Sequence, residues 1–487
     1  MIAWMLSVLS AAVPLVEAVK QNDDAAVRAL VAQHADVNAS EGDGATALHW
    51  AVYGNDAEIV DLLIAAGAKV NVANDLSITP LYLASANGNE DLVARLLDNG
   101  ADPGTTSETG VTPLMEAART GNVGAVQALL SHGANVNASE GVRGQTALMW
   151  AAARRHAVVV GVLLDHDANV RARTRVRTQT VMLDRGPRRT VKTSMRDAKQ
   201  IDSGGSSALV FAAEVGDTES AKLLLDAGAD VNDAAADGRS VLVAAVFGGH
   251  GDVAKVLLDR GADVNAAGAG YTALHAAVLR GELDTAQALL ANGANPNARL
   301  TKGSPVRRFG AQWVLPNTMM GATPLFVAAT YLEVDIVRAL LAAGGDPALG
   351  LANGTAPLLA AAGTAVQKEA RPSDLARFRL VDSDFIVIPR DEADVLGAVR
   401  LLLDAGAAVN QVNEVGDSAL HAAAVTGMTT VIQLLADGGA ELEIENKAGQ
   451  TPLALTMPRE EGRPGRRRQV AGSKEAEELL RKLGATQ

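Results

Sequence analysis

A phrase of the form Thr-Pro-Leu-His-x-Ala returns eleven times between Thr46 and Leu455, and most copies start 32 to 34 residues after the previous one. The copies are headed by Thr46, Thr79, Thr112, Thr146, Ser207, Ser240, Thr272, Thr323, Ala356, Ser418 and Thr451. A period near 33 is the mark of stacked structural repeats. Although 487 residues suggest three ordinary domains by length, no stretch looks like a separate core, so the chain reads as one elongated repeat domain.

The unit from Thr112 to Asn137 shows what each position requires. Thr112 suits an N-cap and Pro113 the first helical position, where a missing N–H costs nothing. Leu114, Ala117 and Ala118 form a narrow apolar stripe that ends at Gly121-Asn122. Val126, Leu129 and Leu130 give a second stripe. Gly133 then stands where a left-handed C-cap is least costly for glycine, and Ala134-Asn-Val-Asn137 leads into a turn. The predicted unit is helix, turn, helix, hairpin loop. Its ending recurs as Ala35-Asp-Val-Asn38, Ala68-Lys-Val-Asn71, Ala229-Asp-Val-Asn232, Ala262-Asp-Val-Asn265, Ala294-Asn-Pro-Asn297 and Ala407-Ala-Val-Asn410. A unit this short falls below the roughly 40 residues that sustain an independent core, so each pair must bury its apolar face on its neighbours. Apolar residues make up 48% of the chain but aromatics only 3%, as closely packed thin helices need.

The motif and its spacing resemble those of ankyrin-repeat proteins over about 400 residues. The resemblance implies an all-α solenoid of helix-turn-helix units with short β-hairpin loops, interrupted here by four insertions. It also implies a concave surface, lined by hairpin tips and first helices, that binds other proteins. In such proteins the motif histidine ties a repeat to the next loop, which carries over to His49, His275 and His421. At Tyr82, Met115, Met149, Val210, Val243, Phe326 and Leu359 packing must replace that tie. The residues matching groove positions are Tyr53, Arg119, Arg154, Glu214, Phe247, Leu279, Tyr331 and Thr426. Of these, Tyr53, Arg119, Arg154, Phe247 and Tyr331 are the candidate partner-binding residues, since tyrosine and arginine are common interface anchors.

Insertions of about residues 172–205 and 298–320 interrupt hairpin loops, whereas 363–394 and 458–473 fall between the two helices of a repeat. The two kinds are expected at opposite edges of the stack. Residues 396–410 supply the second helix and ending after the third insertion. Loops this long are uncommon without a function. Residues 13–457 form the predicted repeat array, and 458–487 a basic linker with a C-terminal capping helix. Charge is segregated: residues 171–200 hold ten Lys or Arg against two acids, 298–320 four against none, and 458–474 six against two. Removing these from the totals of 43 and 56 leaves 23 basic against 52 acidic residues. An acidic body carries basic appendages.

Arg171, Arg173, Arg175 and Arg177 alternate with smaller residues, a period of two that predicts four guanidinium groups on one face of an extended strand. Asp184-Arg-Gly-Pro187 supplies a turn and Thr190-Val-Lys-Thr193 a return strand. Such a face suits acidic protein segments, because arginine forks bind carboxylates bidentately. The more ordinary reading of the same residues is a solvated loop, or one lying on the acidic body of its own solenoid. A polyanion or nucleic-acid binder working through these arginines is the alternative function, disfavoured by the acidic balance overall.

Residues 1–16 carry no charge, and Ser10-Ala-Ala12 resembles a cleavage site, so residues 1–12 read either as an export signal or as an N-terminal cap. The first reading implies an exported or periplasmic protein, the second a cytoplasmic one. The apolar run is too short for a membrane span, and absent cysteines leave the redox compartment open. The eight histidines all fall at repeat positions, and no phosphate-loop, dinucleotide or His-Glu-x-x-His pattern occurs. The sequence therefore points to a monomeric, non-enzymatic protein-binding scaffold, with no catalytic, metal or cofactor residues expected.

Overall fold

The computed structural model describes residues 13–182, 198–302, 319–363, 367–369, 385–387, 391–461, 468–470 and 472–486. It divides into two compact units, Met1–Gln179 with Asp202–Ala236, and Thr180–Ile201 with Asp237–Gln487. Each is a row of helix-turn-helix pairs in which first helices pack on first helices and second on second. The earlier unit holds the pairs Pro14–Lys20/Asp24–Ala32, Ala47–Tyr53/Ala57–Ala65, Pro80–Asn87/Glu90–Asp98, Pro113–Thr120/Val123–Ser131, Ala147–Ala153/Ala157–Asp165 and Ala208–Val215/Thr218–Asp226. The later unit holds Val241–Gly248/Gly251–Asp259, Ala273–Arg280/Leu283–Ala291, Pro324–Tyr331/Val334–Ala342, Pro357–Ala362/Glu392–Asp404, Ala419–Thr426/Thr429–Asp437 and Pro452–Leu455/Lys474–Leu483.

Local chemistry sets these boundaries. The Thr112 hydroxyl accepts from Met115 N at 3.2 Å and Pro113 opens the helix, as the sequence predicts. The helix stops at Gly121, whose φ of 77° is left-handed and whose added Cβ would lie 2.6 Å from the His156 ring. Leu332 occupies the same left-handed position after Pro324–Tyr331 with φ 56°, a conformation a branched side chain adopts only under tertiary constraint. Ala117, Ala118, Ala151 and Ala152 are fully buried and admit close helix contact, while Leu114, Leu129, Leu148 and Leu163 fill the interface between pairs. Each buried leucine contributes about 1.5–3 kcal/mol.

Two polar ties stitch repeats together. The first is the motif histidine: Nε2 of His49, His275 and His421 bonds the carbonyls of Ile78, Ala322 and Gln450 at 3.1, 3.2 and 3.0 Å. The second is the asparagine that closes the repeat ending, whose amide works in both directions at once. Asn71 donates to Gly100 O at 2.8 Å and accepts from Asp102 N at 2.8 Å. Asn38, Asn137, Asn265, Asn297 and Asn410 make the same pair of bonds to the next repeat. Two residues earlier, Asp36, Asp263 and Asn135 accept from the backbone N–H of that asparagine and fix the turn.

Where the motif histidine is replaced, Met115, Met149, Val210, Val243, Phe326 and Leu359 are buried and pack instead. Tyr82 does more. Its hydroxyl donates to Glu116 Oε1 at 2.8 Å, so it reaches the next repeat through a different atom. Burial and then the Glu116 bond push the Tyr82 phenol well above its usual range.

The insertions depart from the predicted detail. The first forms a two-stranded sheet of Arg177–Met182 and Ala198–Ser203. The strand therefore begins at Arg177 rather than Arg171, and the strand described beside it is Ala198–Ser203; the sequence predicts the return strand at residues 190–193. Those four residues, like the expected turn at 184–187, lie outside the described residues, as do residues 1–12. The third and fourth insertions each contain an antiparallel pairing, Gln367–Glu369 with Phe385–Val387 and Arg459–Glu461 with Arg468–Val470. After the third, the second helix begins at Glu392 rather than 396, because the Asp391 carboxylate caps it by accepting from Ala393 N at 3.0 Å.

Candidate partner-binding surface

The nine candidate residues fall into three environments. Tyr53, at the end of Ala47–Tyr53, is 61% exposed and sits edge-on to Trp50 with ring centroids 5.9 Å apart. Trp50 is itself held: its indole N–H donates to Glu41 Oε2 at 2.8 Å, and Lys20 Nζ lies 4.4 Å above the ring. Tyr53 is thus an exposed ring on a rigid footing. Arg154, the C-cap of Ala147–Ala153, is also exposed.

Arg119, Phe247 and Tyr331 are engaged within the chain. Arg119 Nε donates to Glu116 Oε2 at 2.6 Å and its Nη2 to Ala86 O of the preceding repeat at 3.4 Å. Glu116 is buried and also accepts from Tyr82, so Tyr82, Glu116 and Arg119 form one network across a single repeat junction. Phe247 is half-buried against Tyr271, with centroids 5.9 Å apart. Tyr331 is buried at 4% exposure, which leaves its ring little surface to offer.

The four arginines at the root of the first insertion are exposed, but their guanidinium groups do not share one face. Arg173 reaches forward, donating to Gly205 O at 2.9 Å and Ala234 O at 3.0 Å and pairing with the buried carboxylate of Asp233. Arg175 and Arg177 reach back to the carbonyls of Gly141 and Val142. The period-two expectation fails because the chain turns at Arg171 and runs irregularly to Val176, so alternation never becomes a flat strand. The reading in which the arginines lie on their own repeats describes Arg173, Arg175 and Arg177.

Glu140 is a residue that periodicity did not flag. Its buried carboxylate accepts from the backbone N–H groups of Val142, Arg143 and Gln145 at 2.5, 2.6 and 3.0 Å. Burial pushes its pKa up, but those bonds, together with the Arg175 charge, outweigh burial and hold it below the usual range. This loop is one residue longer than the one at Glu41, and its glutamate turns under the tip instead of toward the tryptophan. The Trp150 indole N–H is accordingly buried without a hydrogen-bond partner among the described residues. The signal was available in sequence as an acid followed by Gly-x-x-Gly.

Ankyrin repeats match residues 15–107, 81–174, 184–267, 209–299 and 392–457. The chain belongs to the ankyrin-repeat family. Ankyrin repeats imply a protein–protein interaction scaffold, and the paired helices and tied hairpins described above are that scaffold. Neurogenic locus notch homolog protein 1 of Xenopus tropicalis is 32% identical over 152 residues, covering 30% of this chain and 6% of that protein. The Mus musculus and Homo sapiens proteins of the same name are 32% identical over 141 residues, covering 28% of this chain. The similarity thus spans about 6% of the length of these relatives. Among the described residues no helix of this ankyrin-repeat chain is long and apolar enough to cross a membrane.

Proposed function

We infer that the chain is a non-enzymatic scaffold that holds a segment of another protein against the first-helix ends and hairpin tips of its earlier unit. The arginines at the root of the first insertion favour acidic residues in that segment. The observation that carries this reading is the pairing of exposed Tyr53 and Arg154 with exposed apolar side chains at the tips of the same unit, Leu76, Val142 and Val176. Anchors of this kind, on a frame already fixed by histidine and asparagine ties, bind without a large ordering cost. Arg171, Arg175 and Arg177 keep exposed guanidinium groups; Arg175 and Arg177 bond neutral carbonyls, and Arg175, although it also lies near the buried Glu140 carboxylate, joins Arg171 and Arg177 in facing solvent, where a partner's carboxylate can reach them. Arg173 is committed to Asp233 and is not assigned to the partner.

The polyanion reading is less supported, since Arg173 is neutralised within the chain and the body is acidic. Affinity capture with the full chain tests the proposal. Tyr53→Ala combined with Glu at Arg171, Arg175 and Arg177 is expected to empty the captured set, while circular dichroism stays that of the parent. An unchanged set with a folded variant would remove these residues from the binding surface.

A further inference from the structure

The hairpin tips of the earlier unit carry a charge order that the repeat itself does not demand. Taken in sequence the tips are Gly42-Asp43, Asp75-Leu76, Glu108-Thr109, Gly141-Val142-Arg143 and Arg175-Val176-Arg177. One backbone bond joins each to the next: Asp75 N to Asp43 O at 2.9 Å, Glu108 N to Leu76 O at 3.3 Å, Gly141 N to Thr109 O at 2.6 Å and Arg175 N to Arg143 O at 2.7 Å. The tips therefore form one ordered edge. Asp43, Asp75 and Glu108 are exposed along its first three tips, and Arg143, Arg175 and Arg177 along the last two. Exposed Leu76, Val142 and Val176, at 61, 42 and 58%, stand among them.

Several of these charges are fixed in place. The Asp43 carboxylate accepts from Ala45 N at 3.0 Å, and Arg175 and Arg177 rest on carbonyls of the neighbouring tip. Neutral partners orient Asp43 and Arg177 without cancelling them, whereas Arg175 also lies near the buried Glu140 carboxylate. Setting like charges side by side on adjacent tips is mildly unfavourable for the free protein, and an interspersed pattern would serve solubility as well.

We propose that this edge binds an extended protein segment of matching opposite polarity. A basic stretch lies across Asp43, Asp75 and Glu108, apolar side chains meet Leu76, Val142 and Val176, and an acidic stretch lies across Arg143, Arg175 and Arg177. This rests on the scaffold reading above and specifies the partner: charge-segregated rather than uniformly acidic. Stacked helices lie about 8–10 Å apart and an extended chain advances roughly 3.3 Å per residue, so about every third partner residue meets a tip. Five tips then call for a segment of about 12–15 residues. A uniformly acidic segment, or a nucleic-acid strand, would face three repulsive tips.

Fluorescence anisotropy with the full chain tests this, using four labelled synthetic peptides of equal length and identical leucine positions. One has its lysines in one half and glutamates in the other, one alternates them, one is all-Glu and one all-Lys. The segregated peptide is expected to bind about tenfold tighter than the other three, since each exposed pair alters affinity by up to about fivefold. That advantage should shrink with added salt. Asp75→Lys with Glu108→Lys, which spares the Asp43 turn, should transfer the preference to the all-Glu peptide. All-Glu or alternating peptide binding the parent chain as tightly as the segregated one overturns the polarity and leaves the scaffold reading standing. Failure of all four to bind counts against both.

Discussion

His275 offers a quantitative test of how the repeats are tied. Its ring is fully buried, and its Nε2 meets the Ala322 carbonyl at 3.2 Å, an atom that can only accept. The proton therefore sits on Nε2, and Nδ1 is left to accept from Thr272 N at 3.3 Å while lying 2.9 Å from the Thr272 hydroxyl. A second proton on Nδ1 would confront the Thr272 N–H and place a charge where no water reaches. Burial accordingly lowers the pKa from 6.5 to about 4, against the smaller opposing effect of the Ala322 bond. Because the folded value lies below the unfolded one, the unfolded chain binds the extra proton between about pH 6.5 and about pH 4, and stability falls as pH drops through that window. From about pH 7.5 to about pH 5 the loss from this one residue is about 2 kcal/mol.

Hydrogen exchange read by mass spectrometry over Ala273–Arg280, corrected for intrinsic rates, measures that local loss directly, which matters because repeat arrays need not unfold in one step. His275→Gln removes the titrating group. The variant should be about 1–2 kcal/mol less protected than the parent at neutral pH, for the lost bonds, and the gap should close by about pH 5. A gap that stays constant between the two pH values would refute the assignment of the pH dependence to His275. His49, likewise lowered by burial in spite of its Ile78 bond, should add a loss of the same sign in the earlier unit.

Two further outcomes concern that unit. Asn71→Ala deletes both bonds between one repeat ending and the next, and should cost about 1–2 kcal/mol, seen as faster exchange at Gly100–Asp102 with little change in distant helices. Arg173→Ala strands the buried Asp233 carboxylate and should cost about 1–3 kcal/mol in thermal or urea unfolding, with Asp233→Asn on the same background restoring most of it.

Much of the fold was legible because one period wrote the same physics many times over. Thr112, Pro113, Gly121 and Gly133 each have a backbone reason for their place, and recurrence separates reason from accident. The asparagine of the repeat ending was legible as punctuation but not as a tie, since its two bonds run to a residue about 30 positions away that only stacking brings near. The insertions were less legible for the opposite reason. Each occurs once, and the Arg171–Arg177 alternation could not show that its backbone would turn before becoming a strand.

The candidate surface was the least legible part, and the reason lies in arginine itself. A guanidinium group that suits a partner's carboxylate suits the exposed carbonyl at the end of a neighbouring first helix equally well. Arg119 takes Ala86 O in this way, and Arg280 takes Phe247 O at 3.3 Å, each while held by a local glutamate. These two arginines stand at neighbouring rather than identical places, Arg119 two residues and Arg280 one residue before the capping glycine, with their glutamates at 116 and 282, yet both cap the equivalent carbonyl one repeat earlier, so the bond belongs to the stacking geometry rather than to either repeat. Arg154, at the C-cap position of its own helix, has no glutamate either three residues before it or two after it, where Ala151 and His156 stand, and stays exposed. In a stacked array the presence of that glutamate separates an arginine folded back on the chain from one turned outward, and it can be read from sequence alone.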